Sequence, residues 1–557
     1  MFTMDSLVFL AIAVAILFAA VQRGGDGART MSEKTHRAIC GAAIAAGVLV
    51  RLARLTSLPA GISAEEALVG VQAKALWQTG GFLFGQGLTT QLSQWAGETT
   101  GPLLAVLTAP FVGLFGMSKL TVRLPLALLS CAAMPAAYGL GEALSGRRAA
   151  RWMLLIAALC PIFVLEARMT CGSCAALYLL PIALCLIARG VTKPAALYPG
   201  MIVLALTAYA QDMYFFIAPA AILACAIIAL IFGRRKRHAV ISGTIGLLLC
   251  VPAMLTAFVN LTGAEGMTLL GLIRIPRLVG FEKAFMAENW SVGDKLWAVL
   301  IGGVFQVLRH ENIHQAMYTP DGMLALFMFS LPLMALGALA LFARWTDGRR
   351  AAREKAAARA MVAATCAVTL AALVMFGSVG TLNTNGTTGL FDHSALILFD
   401  AVLMTAGLCT IERKNLQCAA AMVALMAVNF AWLAVQLFGG SYQANANVYF
   451  PGFEQMAARA AEIQAETGEK INVTGNVYPH IQPSDGAEMM FLYATDADMR
   501  TAEAERGTRY ETIYVSDDMQ PEADQIYLAR ADEISNWDLE GFDYEESEGY
   551  ALIYPAL

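Results

Sequence analysis

Charge is what this sequence has least of. Of its 557 residues, 15% are Asp, Glu, Lys or Arg and 58% are hydrophobic, whereas a soluble domain carries about a quarter charged residues. That excludes an ordinary soluble globular chain. Cysteine is missing from residues 440–557, so no disulfide framework braces that stretch as an exported domain. The eleven cysteines lie in, or at the ends of, apolar segments, where they serve mostly as small core residues. No glycine-rich nucleotide loop is present, and the basic clusters lack interleaved aromatics, which excludes a nucleotide cradle and a nucleic-acid partner. There is also no internal repeat of the kind that marks an alternating-access transporter.

What is present is a series of apolar runs long enough to cross a bilayer. They fall at about 5–22, 37–56, 119–143, 149–166, 172–189, 197–210, 213–233, 239–259, 323–343, 359–378, 393–410 and 416–437, with a borderline run at about 100–116. The expected fold class is therefore a polytopic α-helical membrane protein with about 12–13 transmembrane helices. Basic clusters occur at Arg23 to Arg37, Gly146-Arg147-Arg148, Arg189 to Lys193, Arg234 to His238, Arg344 to Arg359 and Glu412-Arg413-Lys414. The positive-inside rule puts all six in the cytoplasm, and parity satisfies this only if 100–116 does not cross. The N-terminus, the loops 57–100, 260–322 and 379–392, and everything after residue 440 are then outside. The first run resembles a signal peptide only weakly, since Asp5 replaces a basic start and no clear cleavage site follows.

The charge is unevenly divided. Residues 440–557 hold 23 acidic and 6 basic side chains, a net of −17, leaving about +12 for the rest. This marks a boundary near Gly439-Gly440 between a membrane domain, 1–439, and an acidic extracytoplasmic domain, 440–557. In the latter, Met456, Ala460 and Ile463 repeat with helical spacing, and short β-type runs follow near 471, 512 and 551. A small α/β domain is expected.

The outer loops carry polar residues that packing does not require. Glu65 and Glu66 adjoin in LPAGISAEEALVGVQAKALWQTGG, just past a membrane-length helix. Ionisable groups at membrane depth are costly and usually functional, although Ser63 could equally cap a helix with both glutamates in its first turn. On the same face fall Glu98, Arg168, Asp212, the group Arg309, His310, Glu311, Asn312 and His314, and Asn383 with Asn385. Such a set could deprotonate an acceptor and hold a phosphate leaving group. Arg168 could instead anchor a helix end in the headgroups. HENIH formally matches a zinc-protease helix, but no third ligand backs it. CGSC, Cys171 to Cys174, has redox spacing without a thioredoxin-like context.

The order of these segments resembles the GT-C superfamily of membrane glycosyltransferases. The branch is the one related to protein O-mannosyltransferases (glycosyltransferase family 39) and bacterial lipid A aminoarabinose transferases. The resemblance runs through LPAGISAEEALVGVQAKALWQTGG, LFGMSKLTVRLP, CPIFVLEARMT, AYAQDMYFFIAP, ENIHQAMYTPDG and GTLNTNGTTGLF, over about residues 40–440. It implies transfer of a sugar from a polyprenyl phosphate to a protein, lipid or glycan acceptor, with inversion, at the outer membrane face. Glu65 would be the general base, and Glu66 would orient it or hold a metal. Arg168 would meet the donor phosphate, with Asp212, Glu98, Asn312, Asn383 and Asn385 as further substrate contacts. A divalent metal is a candidate cofactor, with Glu66, His310 and His314 as candidate ligands. The sequence departs from the family at Glu65 and Ala167, where Asp and Ser are usual, and at Gly386 and Thr388, where Arg and Asn are usual. The competing functions are a non-catalytic scaffold for envelope assembly and a lipid or polysaccharide transporter.

Overall fold

The computed structural model describes residues 4–22, 31–83, 87–93, 99–170, 174–211, 213–277, 291–297, 324–346, 353–376, 394–440, 450–475, 485–516 and 519–556. Each apolar run read from the sequence is a helix. In chain order the bundle comprises α1 (Met4–Gln22), α2 (Glu33–Leu52), α3 (Ala64–Thr79), α4 (Leu103–Phe115), α5 (Lys119–Ser145) and α6 (Arg147–Leu159). It continues with α7 (Pro161–Leu165), α8 (Cys174–Gly190), α9 (Leu197–Leu206), α10 (Tyr214–Phe232), α11 (Lys236–Thr262), α12 (Ser330–Thr346), α13 (Arg353–Phe376), α14 (Ser394–Lys414) and α15 (Leu416–Phe438).

Among the described residues seven helices are long and apolar enough to cross a membrane: α2, α5, α10, α11, α13, α14 and α15. A bent pair, α6 with the stretch 161–168, meets at 60° and makes an eighth where the two halves are counted as one broken span. Five further apolar helices are shorter. One of them is α4, whose 13 residues rise about 20 Å against a hydrocarbon core of about 30 Å. Large apolar side chains stand exposed on the outside of the bundle, among them Phe18, Phe115, Leu248, Phe258, Leu339 and Val435. Water would not tolerate so wide an apolar surface, and lipid does.

The bend between α6 and α7 has a chemical cause. Pro161 has no N–H to give the Ala157 carbonyl, and the Ile162 N–H turns away to the Ala325 carbonyl at 2.8 Å. Buried Arg51 replaces both donors. Its Nη2 donates to the carbonyls of Ala157 and Phe163, each at 2.7 Å, and its Nη1 to those of Ala158 at 3.1 Å and Gly47 at 2.9 Å. A helix can therefore break inside the bundle without orphaned carbonyls.

The tail folds as a small α/β unit. Helix α16 (Pro451–Thr467) precedes β-strands at Lys470–Thr474, Tyr510–Ile513, Gln525–Arg530, Phe542–Ser547 and Tyr550–Pro555, with α17 (Asp485–Ala494) between the first two. These form one mixed sheet in which Lys470–Thr474 lies parallel to both neighbours, and Tyr550–Pro555 antiparallel to both of its own. Side chains alternate across the sheet. Ile526, Leu528 and Leu552 join Phe453, Met456 and Ile463 of α16 on one face, while Tyr527, Ala529 and Ile553 pack with Trp537 on the other. The strands 525–530 and 542–547 lie beyond the runs singled out from the sequence.

Candidate functional site

Glu65 and Glu66 sit in the first turn of α3, and the cap inferred from the sequence is present. The Ser63 hydroxyl accepts from the Glu66 N–H at 3.2 Å, and Glu66 Oε2 accepts from the Ser63 N–H at 3.4 Å. This capping box fixes the backbone of the adjacent Glu65.

The two carboxylates then part ways. Glu66 is 1% exposed and forms a bidentate pair with Arg123, from Nε to Oε1 at 2.9 Å and from Nη2 to Oε2 at 2.8 Å. The Thr170 N–H also reaches Oε1, at 3.2 Å. Four N–H donors thus fill the four acceptor positions of one carboxylate. Both oxygens of Glu66, expected to orient Glu65 or to hold a metal, are thereby engaged by N–H donors. Arg123 gives its remaining donors to the carbonyls of Leu55, Pro59 and Gly61 at 2.7–3.0 Å. One guanidinium thus ties three carbonyls of the turn leading into α3 to the Glu66 carboxylate, and the sequence assigns Arg123 no role.

Arg168, expected to meet the donor phosphate, is also engaged with main chain. It is 1% exposed, and its Nη1 donates to the carbonyls of Val50, Arg51 and Ala53 while its Nη2 donates to those of Leu58 and Arg54. A helix C-terminus leaves carbonyls without partners and attracts a cation. Here that cation is Arg168, whose terminal nitrogens hold main chain.

Glu65 is half-buried and points into the same neighbourhood as Glu166, whose carboxyl its charge reaches. Glu166 lies in the short 3-10 turn after α7, is 6% exposed, and accepts from Cys174 Sγ at 3.0 Å. The Glu166–Cys174 pair thus stands within reach of the Glu65 charge, at the bundle end where α2 finishes and α5 and α8 begin. The signal for Glu166 was available in LEAR, where a carboxylate follows an apolar helix as Glu65 does. Cys174 belongs to the CGSC pair; Cys171 lies outside the described residues.

The neighbouring stretch 207–211 packs onto this end. A Cβ on Gly101 would come 2.1 Å from the Tyr209 carbonyl oxygen, so the chain entering α4 touches the chain leading to Asp212. Asp212 itself, Glu98, Arg309, His310, Glu311, Asn312, His314, Asn383 and Asn385 lie outside the described residues. Among the described residues no three His, Cys, Asp or Glu side chains are grouped to hold a metal ion.

The tail covers the other side of α3. Tyr493 of α17 packs on Gly70, where an added Cβ would lie 3.3 Å from its ring and 2.9 Å from Val122. Lys74 pairs with Asp496 at 2.6 Å, and the Met499 N–H donates to Gln78 at 3.0 Å. Lys119 bridges the two parts, donating to the Ala60 carbonyl and pairing with Glu454, both at 2.7 Å. One apolar core runs from Ala67, Leu68 and Val71 into Phe453, Met490 and Leu492.

No family model matches the chain, and no curated protein does. Among solved structures it is similar to the oligosaccharyltransferase AglB from Archaeoglobus fulgidus, determined with an inhibitory peptide and a dolichol-phosphate. That match has 12% identity and a TM-score of 0.45 over 83% of this chain, which spans 64% of the AglB chain. It is also similar to ArnT from Cupriavidus metallidurans. In the apo state the identity is 13% and the TM-score 0.45, over 92% of this chain and 97% of ArnT. With undecaprenyl phosphate bound, the values are 12% and 0.46, over 93% and 98%.

Proposed function

We propose that the chain is an integral-membrane glycosyltransferase that moves a sugar from a polyprenyl-phosphate donor to an acceptor hydroxyl or amide at the outer membrane face. The observation that carries this is Glu65, a half-buried carboxylate on a helix start fixed by the Ser63 cap and the Glu66–Arg123 lock. In this reading Glu65 takes the acceptor proton as the acceptor attacks the anomeric carbon and the lipid phosphate departs with the bonding electrons. Glu166 is a second carboxyl within reach of the charge on that base, and Glu66, Arg123 and Arg168 are positioning residues. The order of motifs over residues 40–440 supports the donor class.

The donor is tested by photolabelling the purified protein with a diazirine analogue of undecaprenyl phosphate. Labelling is expected in residues 58–66 and 162–178, and unlabelled lipid should compete. Labels spread over the lipid-facing helices without competition would overturn the donor assignment.

The topology is part of the proposal. With the site outside, a cysteine placed at Ser516 is expected to react with an impermeant maleimide in whole cells, and one at Ser145 only after permeabilisation. The reverse pattern would turn the molecule over.

The tail acts here as a cap that limits acceptor access without supplying the base. Deleting residues 450–557 is expected to lower transfer or change acceptor choice. Because α3 would lose its cover of Tyr493, Phe453 and Met490, thermal stability should fall as well. A truncated protein with full activity and an unchanged melting temperature would contradict this.

A further inference from the structure

At the other end of the bundle, where α2 and α6 begin, helices α2, α5 and α6 enclose an open cavity of about 430 Å³. Its floor is apolar, with Ile44, Pro135 and Leu154, and its rim carries Glu33, Arg37, Tyr138 and Arg147. Arg37 Nε and Arg147 Nη2 both donate to the same oxygen, Glu33 Oε1, at 2.9 and 2.8 Å. One carboxylate therefore serves two cations, and the rim is left with a net positive charge.

The hydrogen-bond chain behind the rim fixes where its protons point. Arg151 Nη1 lies 3.0 Å from His36 Nδ1, and an arginine can only donate, so Nδ1 is the acceptor. His36 then carries its proton on Nε2, which lies 3.2 Å from the Tyr138 oxygen and donates to it. With that oxygen accepting from His36, the Tyr138 hydroxyl keeps its own proton to donate, and Tyr138 lines the cavity. Arg151 is held in turn by Glu412, which also accepts from Trp152 Nε1 at 2.8 Å. The residues facing the cavity thus offer a hydroxyl donor and the remaining N–H groups of two guanidiniums above an apolar floor.

We propose that this cup seats the phosphate of an anionic phospholipid, with an acyl chain running along Ile44 and Leu154 into the bilayer. A phosphodiester brings one negative charge to a rim that has one positive charge in excess, and basic pockets between transmembrane helices suit such headgroups. The apolar floor distinguishes a lipid from a free phosphate, which would gain nothing from it. The site lies on the face opposite Glu65 and does not depend on the transfer reaction.

The test is native mass spectrometry of the full-length protein released from nanodiscs of mixed phosphatidylglycerol and phosphatidylcholine. The wild type is expected to retain phosphatidylglycerol preferentially. Arg37→Gln should lower that retention about fivefold, the effect of one cation near the surface, and Arg37 is 79% exposed in its side chain, so the fold survives its loss. Tyr138→Phe should lower retention as well, and because it also takes the acceptor from His36 Nε2, its retention is compared with that of Arg37→Gln at a temperature well below the melting of both. Glu33→Gln should raise retention, because it frees both arginines; a purely structural ion pair would give no such gain. Equal retention of the two lipids, unchanged retention in Arg37→Gln and Tyr138→Phe, or displacement of the lipid by millimolar inorganic phosphate would each overturn the proposal.

Discussion

Replacing Arg123 with methionine is expected to destabilise the protein by about 3–5 kcal/mol, because it leaves the Glu66 carboxylate buried without its counter-charge. Both side chains of this pair are 1% exposed. The loss is compounded by the carbonyls of Leu55, Pro59 and Gly61, which would lose their donor. Arg123→Lys should recover little, since an ammonium cannot span both carboxylate oxygens and three carbonyls as a planar fork does. Adding Glu66→Gln to Arg123→Met removes the stranded charge, so the double variant should be more stable than the sum of the single effects. Thermal unfolding in a fixed detergent checks this. A single variant that melts with the wild type, or strictly additive losses, would mean that the pair does not hold the turn.

The helical architecture was legible because hydrophobic runs and basic clusters are written directly in the sequence. Helices α2, α5, α10, α11, α13, α14 and α15 lie close to the runs that announced them. The bend at Cys160–Pro161 was less visible, because it depends on Arg51, which meets the carbonyls of Ala157 and Phe163 only in the fold. The same holds at the site. The Ser63 cap could be read locally, since a capping box is a four-residue pattern. That Glu66 would be consumed by Arg123, 57 positions away, and Arg168 by the end of α2 could not. Neither periodicity nor composition says which of several arginines will turn inward. The tail was read as an α/β unit from α16 and three β-type runs. Its shared core with α3 escaped notice because Gly70 and Tyr493 are 423 positions apart.

Glu65→Gln is expected to have the largest effect on activity. Glutamine keeps the size and hydrogen-bonding shape of the side chain while removing its ability to take a proton. Loss of a positioned general base slows a reaction by roughly 10²–10⁴-fold. Folding should be spared, since the capping box and the ion pair belong to Ser63, Glu66 and Arg123 rather than to Glu65. The measurement that decides the matter is single-turnover transfer from a radiolabelled undecaprenyl-phosphate sugar by purified wild-type and Glu65→Gln protein, with melting temperature and donor photolabelling recorded on the same samples. The expected result is a loss of transfer of at least a hundredfold with unchanged melting and unchanged labelling. Wild-type turnover in a well-folded Glu65→Gln protein would contradict the assignment of Glu65 as the base.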